Sequence, residues 1–598
     1  MSRAWVWAAG ALVSTIAVAH SMAEASPVDL VPPGFGDPAP TPAPTPTATT
    51  PASPTPAPAP DRAPAPSAPR ASSPSAPDNL PTLRELESLS TDDLDELLGL
   101  RPRVDIPPAA ARATDVIGVI GPDSGGVGDQ VFVNQPAALV RAALAGNEGR
   151  YVSRWGHILM RRALSSAVRA PSGMDPIAFA GLRAGVLNRM GEYAAARALV
   201  QSVDTANYDD ALTQMAIEAY LGSGDVIGAC PAVRLSRADR SDGEWRMLRA
   251  ICNAYAGETS RANTDLRRIL NSGEFPRIDA LLAQRLAGAA GDGRRAVTIE
   301  WDGVDSLSRW RFALANAVGA TIPQELLDRA DPDLTEQLAT TSAVPLPDRV
   351  ASAGPAAKRG ILSGQALIDL YSQIALIEEF EGAGSETATT LRRAYVADTL
   401  AARLEALGSL WSEENGAGHV LTAQAAARIP VEDAALSRSD DLIRAMLTGG
   451  YDRNAALWRG SVADGSLGWA MLAVADPRGQ AVSDGEMSDF VGEAETHRAR
   501  MLYAGLAGLG RLQDDEQSEY GDRLEVDLGR QTRWTRAIAA AGQAGNPGMV
   551  ALLAGLGMQG SDWSTMTALH LYHIVRALDA AGMNAEARMI AAEAVAQA

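Results

Sequence analysis

Lysine is all but missing from this chain. Lys358 is the only one among 52 basic residues, and the rest are arginine. That preference reads as the codon bias of a GC-rich bacterium rather than as selection for bidentate anion contacts. Aromatic residues are also scarce, at 5% of the 598 positions. Strands favour aromatic and β-branched side chains, so their scarcity argues against a sheet-built fold. The formal charge is −20 at pH 7, which argues against nucleic acid as a partner, because phosphate binding needs clustered cations. There are six histidines, with no HExxH or CxxC spacing. His570 and His573 share a helix face at i, i+3 but lack the third and fourth ligands a zinc ion needs. No metal and no cofactor is expected. After the N-terminal segment, no apolar run approaches the ~20 residues of a spanning helix.

What is present is alanine-rich and apolar, with 46% hydrophobic residues. Alanine has the highest helix propensity and lets helices approach closely. The chain is therefore expected to be all-α. Residues 1–25 read as an export signal: Arg3, an uncharged apolar stretch from Ala4 to Ala19, and A-x-A sites ending at Ala19 and Ala25. Cleavage after one of these is expected over retention as an N-terminal anchor, which places the mature chain in the periplasm. Residues 26–80 form a Pro/Ala/Thr-rich linker with no capacity for a core, whose low-complexity tract from about Val31 to Pro77, ~45 residues, could extend roughly 140 Å as polyproline II. Residues 81–134 combine a short acidic helix (LSTDDLDELLGL), a candidate docking element, with a Gly-rich stretch, Val116 to Val133, read as a small hairpin or an extended strap.

From about residue 135 the pattern is helical, with a soft boundary near Ala343 separating regular repeats (135–343) from degenerate ones (344–598). Glycines recur at Gly191, Gly224, Gly257 and Gly291, with gaps of 33, 33 and 34 residues. An alanine follows each by five residues: Ala196, Ala229, Ala262 and Ala296. A period near 34 marks stacked helical hairpins. Glycine suits the turn because it accepts a positive φ, and the acid after it favours the start of the second helix through the helix dipole. Gly450 with Ala455 and Gly582 with Ala587 repeat the motif. Breaks are expected near Val344 to Gly354, Glu381 to Ser385 and Asn415 to His419. Asn546-Pro547 reads as a helix start.

Gly191-Glu192-Tyr193 with Ala196 resembles the tetratricopeptide repeat. Later copies keep the glycine, acid and alanine but carry Val226 and Thr259 at the tyrosine position. The resemblance implies a right-handed superhelix with a concave binding face, and it implies no catalytic residue. The C-terminal stretch ALHLYHIVRALDAAGMNAEARMIAAEA resembles uncharacterised alphaproteobacterial proteins.

Cys230 falls in the second helix of one hairpin and Cys252 in the first helix of the next, so the two are expected to form a disulfide. Two further motifs are weak. Asp123-Ser124-Gly125-Gly126 is similar to the serine block of trypsin-like proteases, without a histidine base nearby in sequence. Gly555-Leu556-Gly557-Met558-Gln559 is similar to an element of lytic transglycosylases, but Gly557 interrupts it. Neither Glu516 nor Glu87-Ser88 supplies a convincing general acid. The expected function is an exported, non-enzymatic helical-repeat scaffold for other cell-envelope proteins, with a homo-oligomer left open. The alternatives are a peptidoglycan-active enzyme of lytic-transglycosylase type, or a structural part of an envelope appendage or motor.

Overall fold

The computed structural model describes residues 107, 109–236, 240–290, 297–377, 380, 384–411 and 417–598. The export signal, the linker and the acidic segment lie outside these residues. Within them are 28 α-helices. Strand-like pairing is limited to isolated bridges at Ile117–Val168, Ile120–Ser166 and Tyr151–Gln559. Among the described residues, no helix is long and apolar enough to cross a membrane.

The hairpins form where the glycine period places them. Pro176–Arg189 pairs with Tyr193–Gln201, Asp210–Gly222 with Cys230–Leu235, and Gly243–Tyr255 with Thr259–Ser272. Gly191, Gly224 and Gly257 have φ of +78°, +74° and +93°. In each turn the next residue donates its N–H to the carbonyl five positions back: Glu192 to Leu187, Asp225 to Tyr220, and Glu258 to Asn253, all at 2.9 Å. This bond satisfies a helix-end carbonyl and fixes the reversal. Gly450 and Gly582 behave alike, both at φ +81°. Gly291 and Ala296 lie outside the described residues. Ala196, Ala229, Ala262, Ala455 and Ala587 are all at most 1% exposed, so a larger side chain at these positions has no space to enter.

A second periodicity opens the hairpins. Asp175, Asp209 and Asp242 each cap a first helix, accepting from Ile177 and Ala178, Leu212 and Trp245 respectively. Each such cap contributes about 1 kcal/mol.

Of the two readings of the stretch from Val116, the strap holds and the hairpin does not; a second expectation needs correction. Ile117 and Ile120 pair with residues 168 and 166 of a distant segment, and Arg183 Nη2 donates to the Ile117 carbonyl at 2.7 Å. The break expected over Val344 to Gly354 is instead the helix Leu346–Arg359. Pro347 sits in its first turn, where the missing N–H costs nothing, and the helix continues through Pro355.

The packing also departs from an open array. Helix Arg309–Ala317 lies on Asp210–Gly222 and Arg277–Gly288. Arg309 donates to the Tyr193 hydroxyl at 2.6 Å and Gln337 to the Leu221 carbonyl at 3.2 Å. The chain thereby covers part of the face its own first helices present. The C-terminal helix Asn584–Gln597 is buried along most of its length, with its buried charges Arg588 and Glu593 satisfied by hydrogen bonds. It packs on Leu467–Ala475 and Thr496–Gly508, and on Arg154–Ser165 from the opposite end of the sequence.

Candidate functional site

The acids that follow the turn glycines do more than face a helix dipole. Glu192 is 7% exposed and accepts from His157 Nε2 and Arg161 Nη1, both at 2.8 Å. Asp225 accepts from Arg197, and Glu258 from Arg234 at 2.9 Å. In each case the arginine belongs to an earlier helix, so each of these three turns is tied by charge to an element before it. The sequence reading assigned these acids to helix starts. What could have revealed the ladder is the parallel recurrence of Arg161, Arg197 and Arg234. Where such a pair is buried, removing one partner strands the other charge.

A cleft of about 570 Å³ opens where the C-terminal helix meets Arg154–Ser165. Ser153 starts that helix, with its hydroxyl accepting from Gly156 N at 2.9 Å. Glu593 reaches across from the C-terminal helix and accepts from Ser153 Oγ at 2.6 Å, Arg154 N at 2.8 Å and Trp155 N at 3.1 Å. Burial pushes the Glu593 carboxyl up, and these three donors pull it back. Arg154 spends its guanidinium on carbonyls, with Nε to Ala357 at 3.0 Å and Nη1 to Thr448 at 3.2 Å. Burial lowers it to about 10, against the attraction of Glu593.

The cleft walls carry Trp155, Trp411, Trp563, His419, Lys358 and Arg444. Trp411 donates Nε1–H to Thr422 at 2.8 Å and stacks on the His419 ring with an interplanar angle of 1°. His419 also faces Asp441 at 3.4 Å. Burial lowers the imidazole and outweighs the lift from Asp441. Lys358 is exposed and makes no ion pair among the described residues. The Arg444 Nε is shielded from solvent and has no acceptor there. This wall is therefore cationic and aromatic, on a chain of net charge −20. Its chemistry suits an anion with an apolar body.

No protein-family model matches this chain, and no curated protein or solved structure matches it.

Cys230 and Cys252 are bridged, with their Cα atoms 5.2 Å apart. The remaining motifs do not converge. Asp123 and Ser124 lie in an exposed turn, while the nearest histidine in sequence, His157, is committed to Glu192. Gln559 accepts from Glu148 N at 2.6 Å and donates to the Gly146 carbonyl at 3.2 Å, so it pins a loop. Glu516 caps its own helix start, accepting from Gln513 N at 2.8 Å. Glu87 and Ser88 lie outside the described residues. His570 bonds Thr567 at 2.7 Å, and its ring packs on Trp534 at 4.8 Å. His573 is 7% exposed. Among the described residues, no group of three or more His, Cys, Asp or Glu could hold a metal ion. Trp310, Trp458 and Trp469 fill the core, as an aromatic-poor chain requires. The cleft itself escaped the sequence reading because its walls come from segments hundreds of residues apart.

Proposed function

We propose that this chain is an exported, non-enzymatic scaffold of tetratricopeptide type that binds other proteins of the bacterial cell envelope. The observation that carries the reading is the stack of glycine-turned hairpins at a period near 34, an architecture that works by presenting an extended surface. The Cys230–Cys252 bridge supports an oxidising compartment, and the signal-like residues 1–25 support export to the periplasm. The proline-rich linker gives such a scaffold reach.

The test is co-purification of the full chain from detergent-treated envelopes, with partners identified by mass spectrometry. Stoichiometric partners that survive washing support the scaffold. Release of muropeptides by the purified protein, without such partners, overturns it. N-terminal sequencing of the mature chain tests export: a start at His20 or Ser26 fits cleavage at the two A-x-A sites, and an intact Met1 does not.

A further inference from the structure

Many arginines of this protein are held in ion pairs. Arg161 pairs with Glu192, Arg234 with Glu258, and Arg311 with Asp279. Acids outnumber bases, 72 to 52, so a cation beside a cleft has ample opportunity to be neutralised. Lys358 and Arg444 make no ion pair among the described residues, and both line the cleft at the seam between Arg154–Ser165 and Asn584–Gln597. Two carboxylates act on Arg444 without an ion pair to it: Asp441 faces His419 at 3.4 Å, and Glu593 is already taken by Ser153 and two helix amides. Asp562, at the rim, is taken by the hydroxyl of Ser561 at 2.9 Å and by the amide of Ser564 at 3.0 Å. Trp155, Trp411 and Leu447 supply apolar surface in the same lining. The lining thus offers two positive charges, each without an ion-pair partner among the described residues, together with apolar surface. Its size matches pockets that enclose a few side chains rather than a domain.

We infer that this cleft is the partner-binding site of the scaffold, and that its ligand is an acidic peptide segment carrying Asp or Glu beside a leucine or aromatic side chain. This assignment rests on the scaffold reading. A carboxylate of the peptide meets the Arg444 guanidinium, whose planar fork suits bidentate pairing. A second carboxylate meets Lys358. The intervening apolar side chain lies against Trp155 and Trp411.

The test uses the full chain and a fluorescein-labelled ten-residue peptide of Asp, Glu and Leu, titrated by anisotropy at low and physiological salt. Binding is expected to weaken at least tenfold when the acids are replaced by Asn and Gln. It should weaken by a similar factor in Lys358→Gln with Arg444→Gln, and recover only in part with Arg444→Lys alone, which keeps the charge but not the planar fork. Lys358 is exposed, so Lys358→Gln keeps the test valid should an Arg444 variant lose its fold, which circular dichroism checks. Equal binding of acidic and neutralised peptides overturns the inference, as does unchanged binding by the double variant. Phenylacetate at matched concentration forms the other arm. If it displaces the peptide with equal sensitivity to both substitutions and no peptide contributes further affinity, a small organic acid fills the site and the peptide assignment falls. Should the double variant still capture the same envelope partners as the native chain, the cleft assignment fails while the scaffold stands. Should neither protein capture any, both fail.

Discussion

Glu593→Ala probes the seam at a single atom group. The carboxylate it removes is the acceptor for Ser153 Oγ, Arg154 N and Trp155 N, at 2.6, 2.8 and 3.1 Å. Two of these donors are among the four amides that any helix start leaves without internal partners. A hydrogen bond to a charged acceptor contributes ~1.5–3 kcal/mol, and losing a cap costs ~0.5–2 kcal/mol. The full sum is not forfeited. Ser153 still accepts from Gly156, and water from the cleft reaches part of the vacated space. A net loss of about 2–3 kcal/mol in the local stability of Arg154–Ser165 follows, and since each 1.4 kcal/mol is tenfold, its amides should exchange roughly 30- to 150-fold faster. Hydrogen-exchange mass spectrometry on the full chain reads this directly. A global unfolding midpoint does not, because long helical arrays depart from two-state behaviour. Helix Asp210–Gly222, remote from the seam, serves as the internal reference. Unchanged exchange at Arg154–Ser165 would refute the argument, and so would equal acceleration at the reference. Glu593→Gln, which keeps one acceptor oxygen, should fall between.

Replacing both Cys230 and Cys252 by serine opens a crosslink of sequence separation 22 and should cost about 3 kcal/mol in the chain-entropy model. The check is urea unfolding of the 175–290 region by hydrogen exchange with and without reductant, and equal stability in both would count against it. His157 should make the fold acid-sensitive. Burial holds its imidazole below the ordinary value, against the pull of Glu192 and with Arg161 and Arg359 acting in the same sense as burial. The unfolded chain therefore binds a proton that the native chain refuses. The contribution is complete above about pH 6.5 and is lost as pH falls below it, by up to ~1.4 kcal/mol per unit. Hydrogen exchange of Arg154–Ser165, corrected for intrinsic rates, should show this slope between pH 7.5 and 5.5 and lose it in His157→Gln. Ala196→Leu, at a site with 0% exposure, should destabilise its helix by ~1–3 kcal/mol through overpacking, whereas the same change at exposed Ala351 should leave local hydrogen exchange unchanged.

Local chemistry made the hairpins legible. Glycine accepts a positive φ, alanine admits close helix contact, and both act within a few residues of the turn they build. The disulfide was legible for the same reason: Cys230 and Cys252 fall on adjacent elements of a regular stack. Helix Leu346–Arg359 was missed because its prolines read as breakers, although a first-turn proline is compatible with a helix. The ladder from Arg161, Arg197 and Arg234 was hidden by the acids having a sufficient local explanation. The cleft was illegible in principle. Trp155, Lys358, Arg444 and Glu593 are far apart along the chain, and no periodicity links the first of them to the last.

The bond from Ser153 to Glu593 joins residues 440 positions apart. Loop closure over such a distance comes late, since its entropy must be met before the contact returns anything. Nascent chain emerging N-terminus first would hold the partner face of Arg154–Ser165 bare until nearly all the polypeptide has appeared. During that interval the molecule is most exposed to aggregation and to proteases, and a helper that shields this one helix would govern the yield of folded protein.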